Sequence, residues 1–178
     1  KLMTNAAASH LSMAHNIKGP SLTVSTACAS SNHAIGLAFH MVRSGMAQVM
    51  LAGGGDAMLT FGGIKAWEGL RVMSKTACRP FSANRSGMVQ GEGAGVFVLE
   101  TYEGAMARGA EMLAELIGFS MTSDAGDIVM PNQQGAVRAI RGALRDACLD
   151  PQDIGYINAH GTGTAANDKT ECAAVTEA

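Results

Sequence analysis

No apolar run in this 178-residue sequence approaches the ~20 residues needed to span a bilayer, and the N-terminus lacks the hydrophobic segment of a signal peptide. Charge is scarce at 16%, and 13 Lys and Arg against 15 Asp and Glu leave a formal net charge of −2. That balance provides no global attraction to nucleic acid or to an anionic membrane. Aromatic residues make up only 4%, so tight layers of small residues are expected rather than aromatic plugs. The four cysteines, Cys28, Cys78, Cys148 and Cys172, form no C-x-x-C pair and no metal-ligand spacing, which reads as reduced thiols in a cytoplasmic protein. An initiator Met is also lacking, and a helical pattern opening at Thr170 is still running at Ala178, so the sequence reads as a fragment.

What is present, 47% hydrophobic residues with 22 Gly and 12 Met, is the composition of one soluble globular domain with a sizeable interior. Residues 5–15 read as a helix that Gly19-Pro20 breaks. A β-rich run at 22–26 stops at Ala27, and a helix is expected over 28–44, with Ile35, Ala38, Met41 and Val42 on one side and Gly45 as its C-terminal stop. Residues 49–52 read as a short buried strand followed by Gly53-Gly54-Gly55. That run lacks the Lys-Ser/Thr of a phosphate loop, so a tight turn or close backbone approach is the better reading.

Helices are further expected over 61–70, 102–108 and 132–149, and strands over 96–100, 112–120 and 154–158. In the helix over 132–149, Val137, Ile140, Leu144 and Cys148 form the inward stripe, and Arg138, Arg141 and Arg145 form a solvated face. Asp168-Lys169-Thr170-Glu171 has the form of a helix-opening capping box. Alternation of apolar strands with helices predicts an α/β domain with a mostly parallel sheet covered on both faces. Ligands of such sheets sit beyond the carboxyl ends of the strands, where Cys28 and His160 both stand.

Cys28 occupies a strand-to-helix elbow, and the N–H groups and positive end of a helix N-terminus favour the thiolate, the nucleophilic form. A small buried hydrophobe is an equally good reading of a lone cysteine. His33 and His40 lie on the same helix but turn away from Cys28, and nothing ties His10 or His15 to the elbow. His160, in the loop Ala159-His160-Gly161-Thr162-Gly163-Thr164, is the better partner for stabilising charge on an attacked carbonyl, although a lone histidine often only satisfies local hydrogen bonds.

Three ordered motifs resemble one family. They are Val24 to Ser31 around Cys28, Pro80-Phe81-Ser82 through Gly91-Glu92-Gly93-Ala94-Gly95, and Asn158 to Thr164 around His160. Together they resemble the β-ketoacyl-acyl-carrier-protein synthases, the thiolase-fold condensing enzymes of fatty-acid and polyketide synthesis. Asn158 before Ala-His, and Asp168-Lys169, look most like synthase II and nodulation-type ketosynthases. The resemblance implies a layered α/β/α fold, incomplete in this sequence, with residues 1–178 a central fragment of one ketosynthase domain.

It further implies that Cys28 takes an acyl chain as a thioester and that His160 hydrogen-bonds a malonyl thioester oxygen. Thr162 and Thr164 would bind a phosphopantetheine arm, and Asp168 and Glu171 would belong to a supporting network around a family lysine. No metal or nucleotide is implied; the phosphopantetheine arm arrives on acyl carrier protein. The other expected partner is a second subunit, in a homodimer or a ketosynthase heterodimer. The family's second histidine, its lysine and its gating phenylalanine are expected outside these residues, so the fragment alone is expected not to condense and to leave apolar sheet surface exposed. Met88 stands where the family often has Phe. Another thiolase-fold acyltransferase and a non-catalytic chain-length partner are the alternative readings.

Overall fold

The structure, a computed structural model, describes residues 3–178. The chain forms two compact units, each made of two stretches of sequence.

The first unit comprises Lys1–Asp56 and Gly93–Leu116. Helix α1, Ala6–His15, ends where Asn16 takes the left-handed conformation that asparagine tolerates at a helix end. Helix α2, Ser30–Arg43, buries Ala38 and Val42, spaced four apart on one face as the sequence pattern requires. It stops at Gly45, whose φ of +75° suits the residue after a C-cap. Strands β1, Val49–Asp56, and β2, Gly93–Glu100, pair antiparallel from Val49↔Glu100 to Asp56↔Gly93. Helix α2 packs on this pair. Thr101 caps the short helix α4, Tyr102–Ala107, by accepting a hydrogen bond from the Gly104 N–H.

The second unit comprises Ala57–Glu92 and Ile117–Ala178. Helix α3, Phe61–Gly69, is capped by Thr60. Helix α5, Gln133–Ala147, is capped by Asn132 and buries Val137 almost completely. A 3-10 turn, Pro151–Asp153, precedes helix α6, Ala165–Glu177, which packs against α5. Glu177 ties the pair by accepting from Gln133 at 2.6 Å and Gln134 at 2.9 Å, and its backbone carbonyl accepts from Arg141. Residues 118–124 run against α5 so closely that a Cβ at Gly142 would overlap the Ser120 hydroxyl and one at Gly135 the Asp124 carboxylate.

Several expectations change. The sheet seen among the described residues is one antiparallel pair, because an apolar run reports buried faces and carries no information on strand direction. Residues 22–26, 112–120 and 154–158 join no ladder; Thr26 and Cys28 share only an isolated bridge. The glycine run lies inside β1 rather than after it, since Gly53, Gly54 and Gly55 pair with Val96, Gly95 and Ala94. Close approach is nonetheless real: a Cβ at Gly53 would overlap the Gly95 carbonyl, and one at Gly54 the Ser31 hydroxyl. Cys148 is not core but the exposed left-handed C-cap of α5. Apolar sheet surface is exposed, as expected, at Val96, Phe97 and Val98.

Candidate active site

Cys28 is exposed and sits in the turn that leads into α2. The turn hangs on Ser30, whose hydroxyl donates to the Ala27 carbonyl at 2.7 Å and accepts from the Thr26 N–H at 2.8 Å. Ala27, immediately before the thiol, has φ +51°, a conformation costing a residue with a Cβ about 1–3 kcal/mol unless its surroundings enforce it. The helix starts at Ser30, two residues later than its pattern suggests, and no side chain caps it. The first N–H groups turn back onto the chain, Ala29 N–H donating to the Thr26 carbonyl at 3.2 Å and Ser30 N–H to the Ala27 carbonyl at 3.1 Å, which closes the turn that carries the thiol.

The second unit gathers the other five predicted residues. His160 is exposed, and its backbone N–H donates to Glu171 Oε1 at 2.6 Å. The neighbouring Gly161 N–H donates to Oε2 of the same carboxylate at 2.9 Å. One turn earlier on α6, Asp168 is 2% exposed. Its Oδ1 accepts from the Gly163 N–H at 3.1 Å and its Oδ2 from the Phe81 N–H at 2.7 Å. Asn167 Nδ2 bridges the two carboxylates, at 3.3 Å from Asp168 and 3.2 Å from Glu171. The Arg85 Nε lies 3.7 Å from Asp168 Oδ2, supplying the opposite charge that a buried carboxylate requires.

Asp168 and Glu171 therefore do not open a helix. Thr164 is the N-cap of α6, accepting from the Asn167 N–H at 3.4 Å, so the helix begins before Asp168. The Thr162 and Thr164 hydroxyls are 2.8 Å apart and bonded to each other.

The loop needs its glycines. Gly161 and Gly163 have φ of +51° and +74°, and a Cβ at Gly163 would stand 2.8 Å from the Gly87 carbonyl oxygen. Gly87 N–H in turn donates to the Gly163 carbonyl at 3.0 Å, and the Cys78 thiol donates to the Thr162 carbonyl at 3.3 Å. Sequence reasoning gave no site role to Phe81 or Arg85, because their partner in α6 is more than 80 residues away and no local spacing reports it.

Cys28 thus belongs to the first unit, and His160, Thr162, Thr164, Asp168 and Glu171 to the second. Among the described residues no three His, Cys, Asp or Glu side chains converge as metal ligands, and no helix is long and apolar enough to cross a membrane.

Residues 1–105 match the family described as Beta-ketoacyl synthase, N-terminal domain, and residues 113–178 the corresponding C-terminal domain. The chain belongs to the β-ketoacyl synthase family. It is 55% identical over 175 residues to Nodulation protein E of Rhizobium leguminosarum bv. trifolii, a match covering 98% of this chain and 44% of that protein. It is 44% identical to 3-oxoacyl-acyl-carrier-protein synthase 2 of Synechocystis sp., over 90% of this chain and 41% of that one. The chain thus spans less than half the length of these curated relatives.

Among solved structures, the ishigamide ketosynthase/chain length factor matches with a TM-score of 0.96 and 37% identity, over 99% of this chain and 44% of that one. A ketosynthase in complex with its type II polyketide acyl carrier protein matches with a TM-score of 0.92 and 36% identity, over 96% and 44%. The fold is therefore the α/β thiolase-type fold of the ketosynthases. The resemblance to synthase II and nodulation-type proteins read from the motifs is borne out by the same relatives.

Proposed function

We propose that the protein containing this chain performs a decarboxylative Claisen condensation in fatty-acid or polyketide elongation, and that the chain is the central part of one ketosynthase domain. Cys28 Sγ attacks the thioester carbonyl of an acyl chain delivered on acyl carrier protein; the bond to the phosphopantetheine sulfur breaks and that arm leaves as the free thiol. A malonyl-carrier thioester then loses CO₂. The carbon nucleophile left behind attacks the acyl-Cys28 carbonyl, the new carbon–carbon bond forms, and the Cys28 thiolate is expelled.

Charge builds on the malonyl thioester oxygen as CO₂ departs, and His160 donates a hydrogen bond to it. A donor fixed in advance is worth most there, because it need not reorganise as the charge appears. The observation that carries this reading is the anchoring of the His160–Gly161 backbone to the Glu171 carboxylate, which fixes the loop while leaving the imidazole exposed. Thr162 and Thr164 present hydroxyls to the phosphopantetheine arm, and no other cofactor is required.

Acyl carrier protein is the partner, supported by the relative whose solved structure contains one. The second subunit is a like copy or a chain-length factor, supported by the ishigamide protein. The four free thiols suit a cytoplasmic setting. The test is formation of β-ketoacyl product from acyl- and malonyl-carrier substrates: the whole protein is expected to make it and the 178-residue chain alone to make none. Absence of product from the whole protein would overturn the reading.

A further inference from the structure

We infer that Phe81 is a positioning residue for His160, acting through the backbone of Gly161; the inference rests on the role given to His160 above. Phe81 has φ +61°, a conformation that a bulky residue rarely adopts. Burial does not compensate for it, since Phe81 remains 47% exposed. What holds the backbone there is Asp168, whose buried carboxylate receives the Phe81 N–H on one oxygen and the Gly163 N–H on the other. The two donors share one feature: both residues have positive φ.

The carboxylate thus joins the 79–85 loop to the 160–164 loop at a fixed spacing. Arg85 stiffens the first of these by donating from Nη1 to the Ser82 carbonyl at 3.0 Å, and its Nε faces Asp168 without a hydrogen-bond partner, compensating the carboxylate by charge alone.

The strained backbone directs the aromatic ring at Gly161. The position of a Cβ there is bounded by Phe81 Cε2 and Pro80 Cβ, each 3.3 Å away. Gly161 follows His160 directly, and its N–H is one of the two held by Glu171. The loop is therefore confined on two sides, by Glu171 through hydrogen bonds and by the Phe81 ring, which with Pro80 leaves little room for even a Cβ on Gly161. Removing the ring frees the Gly161 peptide to rotate about one side while Glu171 still holds the other. The imidazole then samples orientations away from the malonyl oxygen, whereas attack by Cys28 on an acyl thioester does not depend on it.

The whole protein carrying Phe81→Gly tests this, because glycine accepts φ +61° without strain and deletes only the ring. Expected is a fall of about 10- to 100-fold in malonyl-carrier decarboxylation kcat, with Cys28 acylation changed by less than about twofold and no loss of melting temperature. The His160 imidazole NMR signals should shift in Phe81→Gly, and Phe81→Tyr should restore both the signals and the rate. Equal loss in both half-reactions, or unshifted imidazole signals with an unchanged rate, would overturn the inference. His160→Ala separates the two claims. If it abolishes decarboxylation while Phe81→Gly leaves the rate unchanged, the positioning role fails and the function stands; if it leaves decarboxylation intact, the function itself fails.

Discussion

Glu171 receives the backbone N–H of His160 at 2.6 Å, so a side chain on α6 fixes the position of a residue eleven places earlier without touching its imidazole. Oε2 of the same carboxylate takes the Gly161 N–H. Glu171→Ala leaves both donors without this acceptor and is expected to lower stability by about 1–3 kcal/mol, with Glu171→Gln losing less because one oxygen remains. Condensation should fall further in Glu171→Ala than in Glu171→Gln, while Cys28 acylation persists in both. Thermal melts with the two half-reactions assayed separately check this; a Glu171→Ala protein melting as wild type would contradict it.

The β1–β2 pair predicts an asymmetry between two glycines of one ladder. A Cβ at Gly53 would run into the Gly95 carbonyl, which is backbone and cannot rotate away, whereas a Cβ at Gly95 meets nothing within 4 Å. Gly53→Ala should therefore part the strands and cost several kcal/mol, on the order of the larger single-substitution effects. Gly95→Ala should be neutral or slightly stabilising, since glycine in a strand carries an entropic cost of about 0.5–1 kcal/mol. Urea melts of both variants decide it, and equal effects would count against the register.

These elements also mark what could be read in the residues alone. Helices α2, α3, α4 and α5 follow from period and punctuation, because their stops are local: Gly45 and Gly109 take φ of +75° and +68° where the patterns end. The extent of β1 was not legible, since three consecutive glycines resemble a turn until a partner strand is in place. Cys148 fits the apolar stripe of α5, yet the helix ends one residue before it. At the site, Cys28 and the His160 loop stand out by residue type and position. Asp168 and Glu171 carried a helix-cap signature whose real partners, Phe81, Gly163, His160 and Gly161, come from other turns of the chain.

Acid should weaken the fold in a defined range. Hydrogen bonding to Arg108 holds the Glu100 carboxyl below the ordinary 4.5. Gln134 and then Gln133 do the same for Glu177, and the N–H groups of Met130 and Val129 hold Asp127 below 3.8. Each group binds its proton less readily folded than unfolded, so its contribution is complete above the ordinary carboxylate values and is lost as pH falls through the lower folded ones. Stability should be insensitive to these groups between pH 7 and about 5 and should decline below about 4. Glu177→Gln should flatten part of that decline in pH-dependent melts; an unchanged acid slope would contradict the assignment.

All four cysteines are exposed, so differences in their alkylation report local chemistry rather than access. Cys28 lies in the turn that leads into α2, the elbow where the nucleophile is expected. Iodoacetamide at neutral pH, followed by peptide mapping, should label Cys28 ahead of Cys78, Cys148 and Cys172. Uniform labelling of the folded protein would remove the activation inferred for the elbow.

The division of labour between Cys28 and His160 is tested most directly by locating the acyl group. Whole protein carrying His160→Ala, incubated with acyl-carrier thioester and malonyl carrier, should accumulate an acyl thioester on Cys28, seen as the added acyl mass on the peptide containing it, and release no β-ketoacyl product. Acylation at another residue, or product formed at the wild-type rate, would contradict the account.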